Sequence, residues 1–362
     1  MARTISSRIV ARVSAMILVG LIAACEHKAA QVSPQHRLRT DDRLDAIRRA
    51  EVWMPTDIPS MDLRNGPKEK GAFEPLAEID CQYLEKKLIG YDPKFACVRP
   101  PDDELKVKYG KQNGEVYGEV AGTRLLWALG FGADHMYSVK VRCRGCPVDP
   151  FKSKANPQPE VMFDPAAVER KMPGTELESR PGSGWSWHDL DIMGEGATPA
   201  MRTHRSALKL IAVFMQHTDS KDQNQRLLCL PQGTEVKTAA DCAKPFMMIN
   251  DLGVTFGRAT LLNDMGPSSV NLRNWSKADI WKDAKHCVGN LAASFGGTLT
   301  DPVITEDGRK FLADLLKQLS DKQIRDMFEA ARFDLRSGAS IDDWIAVFKK
   351  KRDEISSVTC PH

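Results

Sequence analysis

The order of elements in the second half of the chain constrains its fold more than any other feature of the sequence. A long helix is predicted over residues 199–216, and it leads directly into a polar loop at 217–224. Two short apolar segments follow, at 227–230 and 246–249, and they are typical of β-strands. The second strand ends in the sequence Asn-Asp-Leu-Gly at 250–253. Polar, chemistry-bearing residues thus follow both a helix and a strand, which predicts a functional site.

The preceding part of the chain predicts a small strand-rich unit with one helix. Two segments rich in β-forming residues, 95–99 and 104–109, are joined by Pro-Pro-Asp-Asp at 100–103, which is a hairpin signature. An amphipathic helix is predicted over 115–129, where two following glycines end it, and a further strand over 137–143.

Two lysines and two glutamates in this unit are candidates for an ion pair. Lys106 and Lys108 lie on one face of their strand because side chains alternate along a strand. Glu115 and Glu119 are one turn apart on the helix that follows. Taken singly, the lysines fit the exposed face of an edge strand, and the glutamates fit acids favoured by the helix dipole.

The loop and the strand end in the second half resemble two motifs of the protein-kinase-like superfamily. His-Thr-Asp-Ser-Lys-Asp-Gln-Asn at 217–224 resembles the catalytic loop HRDxxxxN, and the Asp-Leu-Gly that begins at Asp251 resembles DFG. The resemblance implies that Asp219 is the catalytic base and that Lys221 contacts the transferred phosphoryl group. It also implies that Asn224 and Asp251 are ligands of Mg²⁺.

The strand and helix in the first half are similar to those of the HipA-type and phosphatidylinositol-kinase-like branches. In these branches a strand lysine is followed by a helix that bears a glutamate and ends in glycine. The likeness assigns Lys108 and Glu119 to nucleotide binding, with Lys106 and Glu115 as alternates. A scaffold has no physical reason to keep this pair together with the catalytic and metal-binding residues, whereas a catalyst needs all of them.

The sequence departs from the kinase pattern in three places. Gly66 and Gly71 are candidates for a phosphate-covering loop, but Pro67 between them makes the match poor. Leu252 replaces the phenylalanine of DFG, and no APE-like segment follows Gly257. A branch without a regulatory activation-loop phosphosite is therefore the better comparison.

We expect an α+β chain with a two-lobed, protein-kinase-like fold, a small strand-rich N-lobe and a larger, mainly helical C-lobe. The predicted organisation is a signal peptide at 1–24, a tether at 25–60, the N-lobe at 61–145, an insertion of loops at 146–198 and the C-lobe at 199–362. Within the C-lobe, helices are predicted at 277–291, 305–319, 320–332 and 340–355, with Thr305, Ser320 and Ser340 as N-caps of the last three.

The N-terminus predicts export and a lipid anchor. Arg3, Arg8 and Arg12 precede a twelve-residue apolar run, 13–24, which is too short to span a bilayer. The run closes with Ile-Ala-Ala and Cys25, which resembles a bacterial lipobox whose cysteine is lipidated. We therefore expect a membrane-anchored lipoprotein of the bacterial cell envelope, on the outer membrane and facing the periplasm or the surface.

Charge argues against a nucleic-acid partner. The chain has 51 basic and 48 acidic residues, and three of the arginines belong to the predicted signal peptide. The remaining body is neutral, so it lacks the basic footprint that nucleic-acid binding requires.

The cysteines predict disulfides. An even count remains after Cys25, which favours disulfide pairing in an exported chain, although eight cysteines allow 105 pairings. A clasp between Cys229 and Cys242 across a turn-rich stretch is plausible. Cys143 and Cys146 form a CxxC without a second CxxC or a following His, which disfavours zinc or haem and indicates one structural disulfide or two separate ones.

The leading hypothesis is an exported, lipid-anchored atypical kinase. The resemblance implies ATP with Mg²⁺, or with Mn²⁺ as the alternative metal, and transfer of a phosphoryl or nucleotidyl group to a hydroxyl of a protein, lipid or glycan. The competing hypothesis is a non-catalytic, pseudokinase-like or structural envelope lipoprotein.

Overall fold

The computed structural model describes residues 34–90, 92–177, 184–194, 196–257, 269–294 and 296–361. The predicted signal peptide and the predicted lipidation site, Cys25, lie outside these residues. In the described part of the chain, no helix has both the length and the apolar character of a membrane span. The mixture of helices and strands expected from the sequence is present.

A closed five-stranded barrel forms the strand-rich part of the protein. Its strands are β1 (Glu78–Leu84), β2 (Lys94–Arg99), β3 (Asp103–Tyr109), β4 (His135–Arg144) and β5 (Glu160–Arg170). They are hydrogen-bonded in the order β1-β2-β3-β5-β4, and a parallel pairing of β1 with β4 closes the barrel. Alternation along β3 directs Leu105, Val107 and Tyr109 into the apolar interior, so that Lys106 and Lys108 project from the other face.

Strand β5 corrects the predicted boundary of the strand-rich unit. Residues 146–198 were expected to form an insertion of loops, but β5 lies within them and pairs with both β3 and β4. The proline-rich composition concealed this strand. Pro165 interrupts it where the pairing with β4 shifts register, and a proline is tolerated at such an irregularity because no ladder hydrogen bond is lost.

Helix α1 (Pro34–Arg49) corrects the predicted tether at 25–60. The side chains of Ala46, Ile47 and Ala50 are fully buried in the main hydrophobic core. The Arg205 guanidinium donates hydrogen bonds to the carbonyl oxygens of Ile47 and Ala50, at 2.7 and 2.8 Å. The stretch from Ala46 to Ala50 is therefore packed into the folded protein.

Helix α2 (Glu115–Leu129) lies between the barrel and the helical part of the protein and is buried on nearly every side. Gly130 adopts a φ of 84° and ends the helix in a left-handed cap, as its sequence predicts. The small strand β6 (Thr175–Glu176) then pairs with β7 (Gln225–Cys229), which pairs with β8 (Pro245–Ile249) in an antiparallel three-stranded sheet.

The helical part begins with α3 (Pro199–Met215), whose N-cap Thr198 accepts a hydrogen bond from the backbone nitrogen of Met201. Further along the chain lie α4 (Leu272–Lys277), α5 (Glu306–Lys317), α6 (Asp321–Ala330), α7 (Phe333–Ser337) and α8 (Ile341–Ser356). The three predicted N-caps, Thr305, Ser320 and Ser340, each accept a backbone hydrogen bond in the first turn of their helices.

The helix predicted at 277–291 is wrong. Helix α4 ends at Lys277, and the following residues form the short strands β9 (Trp281–Asp283) and β10 (Val288–Gly289). Cys287 adopts a φ of 51°, which is incompatible with a continuous right-handed helix, and it is disulfide-bonded to Cys360.

All eight cysteines after Cys25 form disulfides, and the predicted clasp is among them. The pairs are Cys81–Cys97, Cys143–Cys146, Cys229–Cys242 and Cys287–Cys360. The CxxC cysteines are thus bonded to each other within the barrel part. The last pair fixes the C-terminus of the chain to the segment after α4.

The loops that the disulfides close predict how much each one stabilises the protein. Replacing Cys287 and Cys360 together by serine opens a loop of 73 residues, and we expect a loss of about 4 kcal/mol in the free energy of unfolding. Replacing Cys143 and Cys146, which are 3 residues apart, should cost about 2 kcal/mol. Urea unfolding of the two double variants measures both values. Equal losses would contradict an origin in the entropy of the unfolded chain.

Candidate active site

The candidate site is centred on the ammonium group of Lys108, which is fully buried. Its Nζ lies 2.6 Å from Glu119 Oε1 and 2.6 Å from Glu115 Oε2. Asp251 Oδ2 is 3.6 Å away. The alternation of β3 directs Lys108 toward α2, and the spacing of one helical turn places both glutamates opposite it.

The structure brings Lys108 and Glu119 into contact. It also shows where the two alternates, Glu115 and Lys106, lie. Glu115 does not replace Glu119 but contacts the same ammonium group. The backbone of Lys106 lies two residues along the strand, about 6.6 Å from that of Lys108. Its Nζ donates to Glu169 Oε2 at 2.6 Å. Lys106 is therefore a neighbour of the site and not the lysine at its centre.

Glycines on α2 allow the Asp-Leu-Gly segment to lie directly against the helix. A Cβ atom at position 118 would lie 3.0 Å from the carbonyl oxygen of Gly253, closer than side chains normally pack. A Cβ at position 122 would lie 3.3 Å from Leu252. The helix that carries the two glutamates thus approaches the segment of Asp251 with backbone exposed on its facing side.

The charges in the cluster are unbalanced. Burial raises the pKa of Glu115 to about 7 and the pKa of Glu119 well above its usual range. Burial alone would also raise the pKa of Asp251, but Lys108 and Lys106 outweigh it, so that this pKa is lowered. Burial opposes the charge of Lys108, yet the three carboxylates raise its pKa. Three carboxyl groups share one central ammonium group, and their burial favours the neutral form of the two glutamates unless a further cation is bound.

The donor set fits a divalent metal ion. One carboxylate oxygen from each of Glu115, Glu119 and Asp251 lies within 4.8 Å of the others. Glu119 Oε2 is buried without a hydrogen-bond partner among the described residues. Carboxylate oxygens are the ligands that Mg²⁺ and Mn²⁺ prefer. Asp251, one of the two predicted metal ligands, belongs to this set. The other two members, Glu115 and Glu119, had been predicted to bind the nucleotide.

The register of β7 and β8 brings the two sequence motifs side by side. Strand β7 begins immediately after Asn224, and β8 ends immediately before Asn250. Because Gln225 pairs with Ile249, Asn224 before β7 lies beside Asn250 after β8. The carbonyl oxygen of Asn224 accepts hydrogen bonds from the backbone nitrogens of Asn250 and Asp251, at 2.7 and 3.1 Å.

The predicted base, Asp219, is surrounded by donors. The Asn224 side chain donates from Nδ2 to Asp219 Oδ2 at 3.0 Å and to its carbonyl oxygen at 2.7 Å. Lys221 Nζ lies 2.7 Å from Asp219 Oδ1, and Ser294 Oγ donates to the same oxygen at 2.7 Å. The Asp219 side chain remains 23% exposed, so it is accessible to a reacting group. The amide of Asn224 therefore orients Asp219, with its nitrogen directed at that residue.

Ser294 was missed by the sequence reasoning. It lies 75 residues after Asp219, in a segment with no motif that marks it. The neighbouring Thr298 was also missed, and its hydroxyl donates to the Ser220 carbonyl oxygen at 3.0 Å. Both residues reach the loop only through the tertiary fold.

The loop at Gly66 and Gly71 is the segment that was considered as a phosphate-covering loop. It precedes β1, and its glycines lie against the guanidinium groups of Arg124 and Arg170, about 3.0 Å from where their Cβ atoms would be. Arg124 Nη1 donates to the Leu63 carbonyl oxygen at 2.8 Å. This loop is held by arginines of the fold, and its role in covering phosphates stays a prediction.

His217, the first residue of the loop at 217–224, lies close to two tryptophans. Trp185 and Trp187 are buried, and the Trp187 ring centroid lies 6.0 Å from that of His217. His217 is fully buried, and among the residues the structure describes neither of its ring nitrogens has a hydrogen-bond partner. Burial lowers the pKa of His217 to about 4 against the opposing charges of Asp219 and Asp251.

Comparison with known proteins finds structural similarities at low sequence identity. No protein-family model and no curated protein sequence matches the chain. The structure is similar to the proinflammatory kinase CtkA of Helicobacter pylori, with 12% identity, 78% of this chain and 95% of that chain covered, and a TM-score of 0.40. It is also similar to the Rio2 kinase of Chaetomium thermophilum in its ADP/Mg²⁺-phosphoaspartate complex, with 11% identity, coverages of 69% and 70%, and a TM-score of 0.29.

The buried histidine predicts a loss of stability in mild acid. The unfolded chain protonates His217 near pH 6.5, whereas the folded protein does so only near pH 4. Stability from this residue is therefore present above pH 6.5 and is lost as the pH falls toward 4, by up to about 1.4 kcal/mol per pH unit. Urea unfolding at pH 7, 6 and 5 measures this slope. His217→Leu should reduce it, and the exposed His286→Gln should not; equal slopes in all three proteins would be contrary to this account.

The central lysine predicts a second effect on stability. Lys108→Met leaves three carboxylates without their shared cation and should cost about 3–5 kcal/mol. Lys106→Met removes a lysine whose side chain is 32% exposed and should cost about 1 kcal/mol. Thermal unfolding in the absence of metal compares the two variants. A smaller loss for Lys108→Met than for Lys106→Met would show that the cluster does not depend on this ammonium group.

Proposed function

We propose that this protein is a phosphotransferase with a two-lobed, protein-kinase-like fold that uses a nucleoside triphosphate with Mg²⁺ or Mn²⁺. The observation that carries the proposal is the buried contact of Lys108 with Glu119 and Asp251. The loop of Asp219 and Asn224 is joined to Asp251 through backbone hydrogen bonds. A strand lysine, a helix glutamate, a metal-binding aspartate and a catalytic loop are the parts that phosphoryl transfer requires.

Each residue has a role in the proposed reaction. Lys108, held by Glu119, faces the phosphates of the nucleotide, and Asp251 with Glu115 and Glu119 supplies the oxygens that hold the metal. A bound divalent cation neutralises charge on the phosphates. Asp219 accepts the proton of the acceptor hydroxyl, and Lys221, 2.7 Å from its carboxylate, provides positive charge beside the transferred group. Asn224 orients Asp219 through its amide nitrogen.

The branch and the reaction subtype are finer parts of the proposal. The strand lysine and the glycine-ended helix favour the HipA-type and phosphatidylinositol-kinase-like branches over regulated protein kinases. Transfer of a nucleotidyl group is the alternative outcome at the same site. The acceptor is a hydroxyl of a protein, lipid or glycan.

We also propose that the protein acts in the bacterial cell envelope, anchored through lipidated Cys25. The basic, apolar and cysteine-ended order of the first 25 residues supports this proposal. The pairing of the eight other cysteines in disulfides is consistent with an oxidising compartment.

Binding of nucleotide tests the proposed function before any acceptor is known. Ligand that binds only the folded state raises the apparent stability, by about 2.7 kcal/mol at a hundredfold excess over Kd. We expect the melting temperature of the full chain to rise by a few degrees with ATP and Mg²⁺ or Mn²⁺, and less with ATP and EDTA. Asp251→Asn should lose the metal-dependent part of this rise.

The matched control is Asp321→Asn, which removes a surface aspartate paired with Lys349 and should leave the nucleotide response intact. A well-folded wild-type protein that responds to neither ATP nor GTP, with either metal, would overturn the proposal. That result would favour a non-catalytic envelope scaffold.

A further inference from the structure

A serine hydroxyl of the chain itself is hydrogen-bonded to Asp219. Ser294 Oγ donates a hydrogen bond to Asp219 Oδ1 at 2.7 Å. Among the described residues, it is the one hydroxyl that donates to this carboxylate. A general base must lie within hydrogen-bond reach of the proton that it removes, and this distance satisfies that condition.

The contact is built into the fold and is not an accident of one side chain. Ser294 and residues 296–299, here together termed the strap, lie along the loop that contains Asp219. The backbone nitrogen of Ser294 donates to the Thr218 carbonyl oxygen at 2.8 Å, and that of Thr298 donates to the Ser220 carbonyl oxygen at 3.0 Å. The backbone nitrogen of Leu299 donates to Ser220 Oγ at 3.1 Å. These bonds fix Ser294 to the loop immediately before and after the base.

We propose that Ser294 is an acceptor of the protein's own reaction, so that the chain phosphorylates itself in cis at this residue. The inference rests on the proposed function, and the donor is a nucleoside triphosphate. Ser294 Oγ forms a bond with the γ-phosphorus while the bond from that phosphorus to the β,γ-bridging oxygen breaks. The hydroxyl proton passes to Asp219, and the nucleoside diphosphate leaves with the bridging electron pair.

The reaction at Ser294 occurs once per chain because it consumes the hydroxyl that accepts the phosphate. A phosphoserine carries nearly two negative charges, and Asp219, once it has released the transferred proton, cannot donate a hydrogen bond to the phosphate oxygens. Lys221 Nζ, which lies 2.7 Å from Asp219 Oδ1, is the cation at hand to pair with the new phosphate. The product therefore differs from the starting state in both charge and hydrogen bonding at the base.

The test is the mass of the full chain after incubation with ATP and Mg²⁺, followed by peptide mapping. We expect the addition of a single phosphate, located on Ser294, at a rate constant that does not change over a hundredfold dilution of the protein. Asp219→Asn should slow the reaction about 100-fold or more while the nucleotide-dependent rise in melting temperature persists. Ser294→Thr retains a hydroxyl and should yield phosphothreonine.

Two further variants separate the inference from a folding defect. Ser294→Ala should acquire no phosphate on the strap and should still show the nucleotide-dependent rise in melting temperature. Ser276→Ala removes a serine whose hydroxyl donates to the Arg273 carbonyl oxygen, and it should be phosphorylated as the wild type is.

Each remaining result decides between the two proposals. A nucleotide-dependent rise without phosphate on Ser294, or a rate that increases with protein concentration, would overturn self-phosphorylation in cis and leave the proposed function standing. Reduced transfer to an added acceptor by Ser294→Ala, with unmodified Ser294 in the wild type, would make the serine a positioning residue. No nucleotide-dependent rise at all would refute the proposed function itself.

Discussion

The burial of one ammonium group among three carboxylates is the interaction on which the rest of the site depends. Lys108 comes from the barrel, Glu115 and Glu119 come from α2, and Asp251 comes from the loop after β8. An unpaired buried charge costs several kcal/mol, so these three parts of the chain hold one another in place.

The second constraint is the register of a short antiparallel sheet. Pairing of Gln225 with Ile249 determines that the residues flanking the strands meet, and this places Asp219 and Asn224 beside Asp251. The close approach of Gly118 to Gly253 then sets α2 against the same segment. A pair of five-residue strands and a few small side chains thus bring together residues from distant parts of the sequence.

The sequence predicted what depends on local pattern and missed what depends on the tertiary fold. The lysine–glutamate contact, the helix caps and the Cys229–Cys242 clasp follow from alternation, helical spacing and turn composition, so they could be predicted. Strand β5 was concealed by prolines, and α1 by its charged residues, because both are stabilised by partners far along the chain. Ser294 contacts Asp219 although the two residues are 75 positions apart in the chain. The grouping of Glu115 with Glu119 and Asp251 depends on the burial of Lys108 between them.

The placement of the disulfides has a mechanical consequence. Cys81–Cys97 and Cys143–Cys146 join residues of the barrel part, whereas Cys229–Cys242 and Cys287–Cys360 join residues of the helical part. None of the four crosses from one part to the other. Each part is therefore stiffened covalently, while the joint between them consists of ion pairs, packing and the connecting chain. Such an arrangement permits rigid-body motion of one part against the other without the breaking of any cross-link.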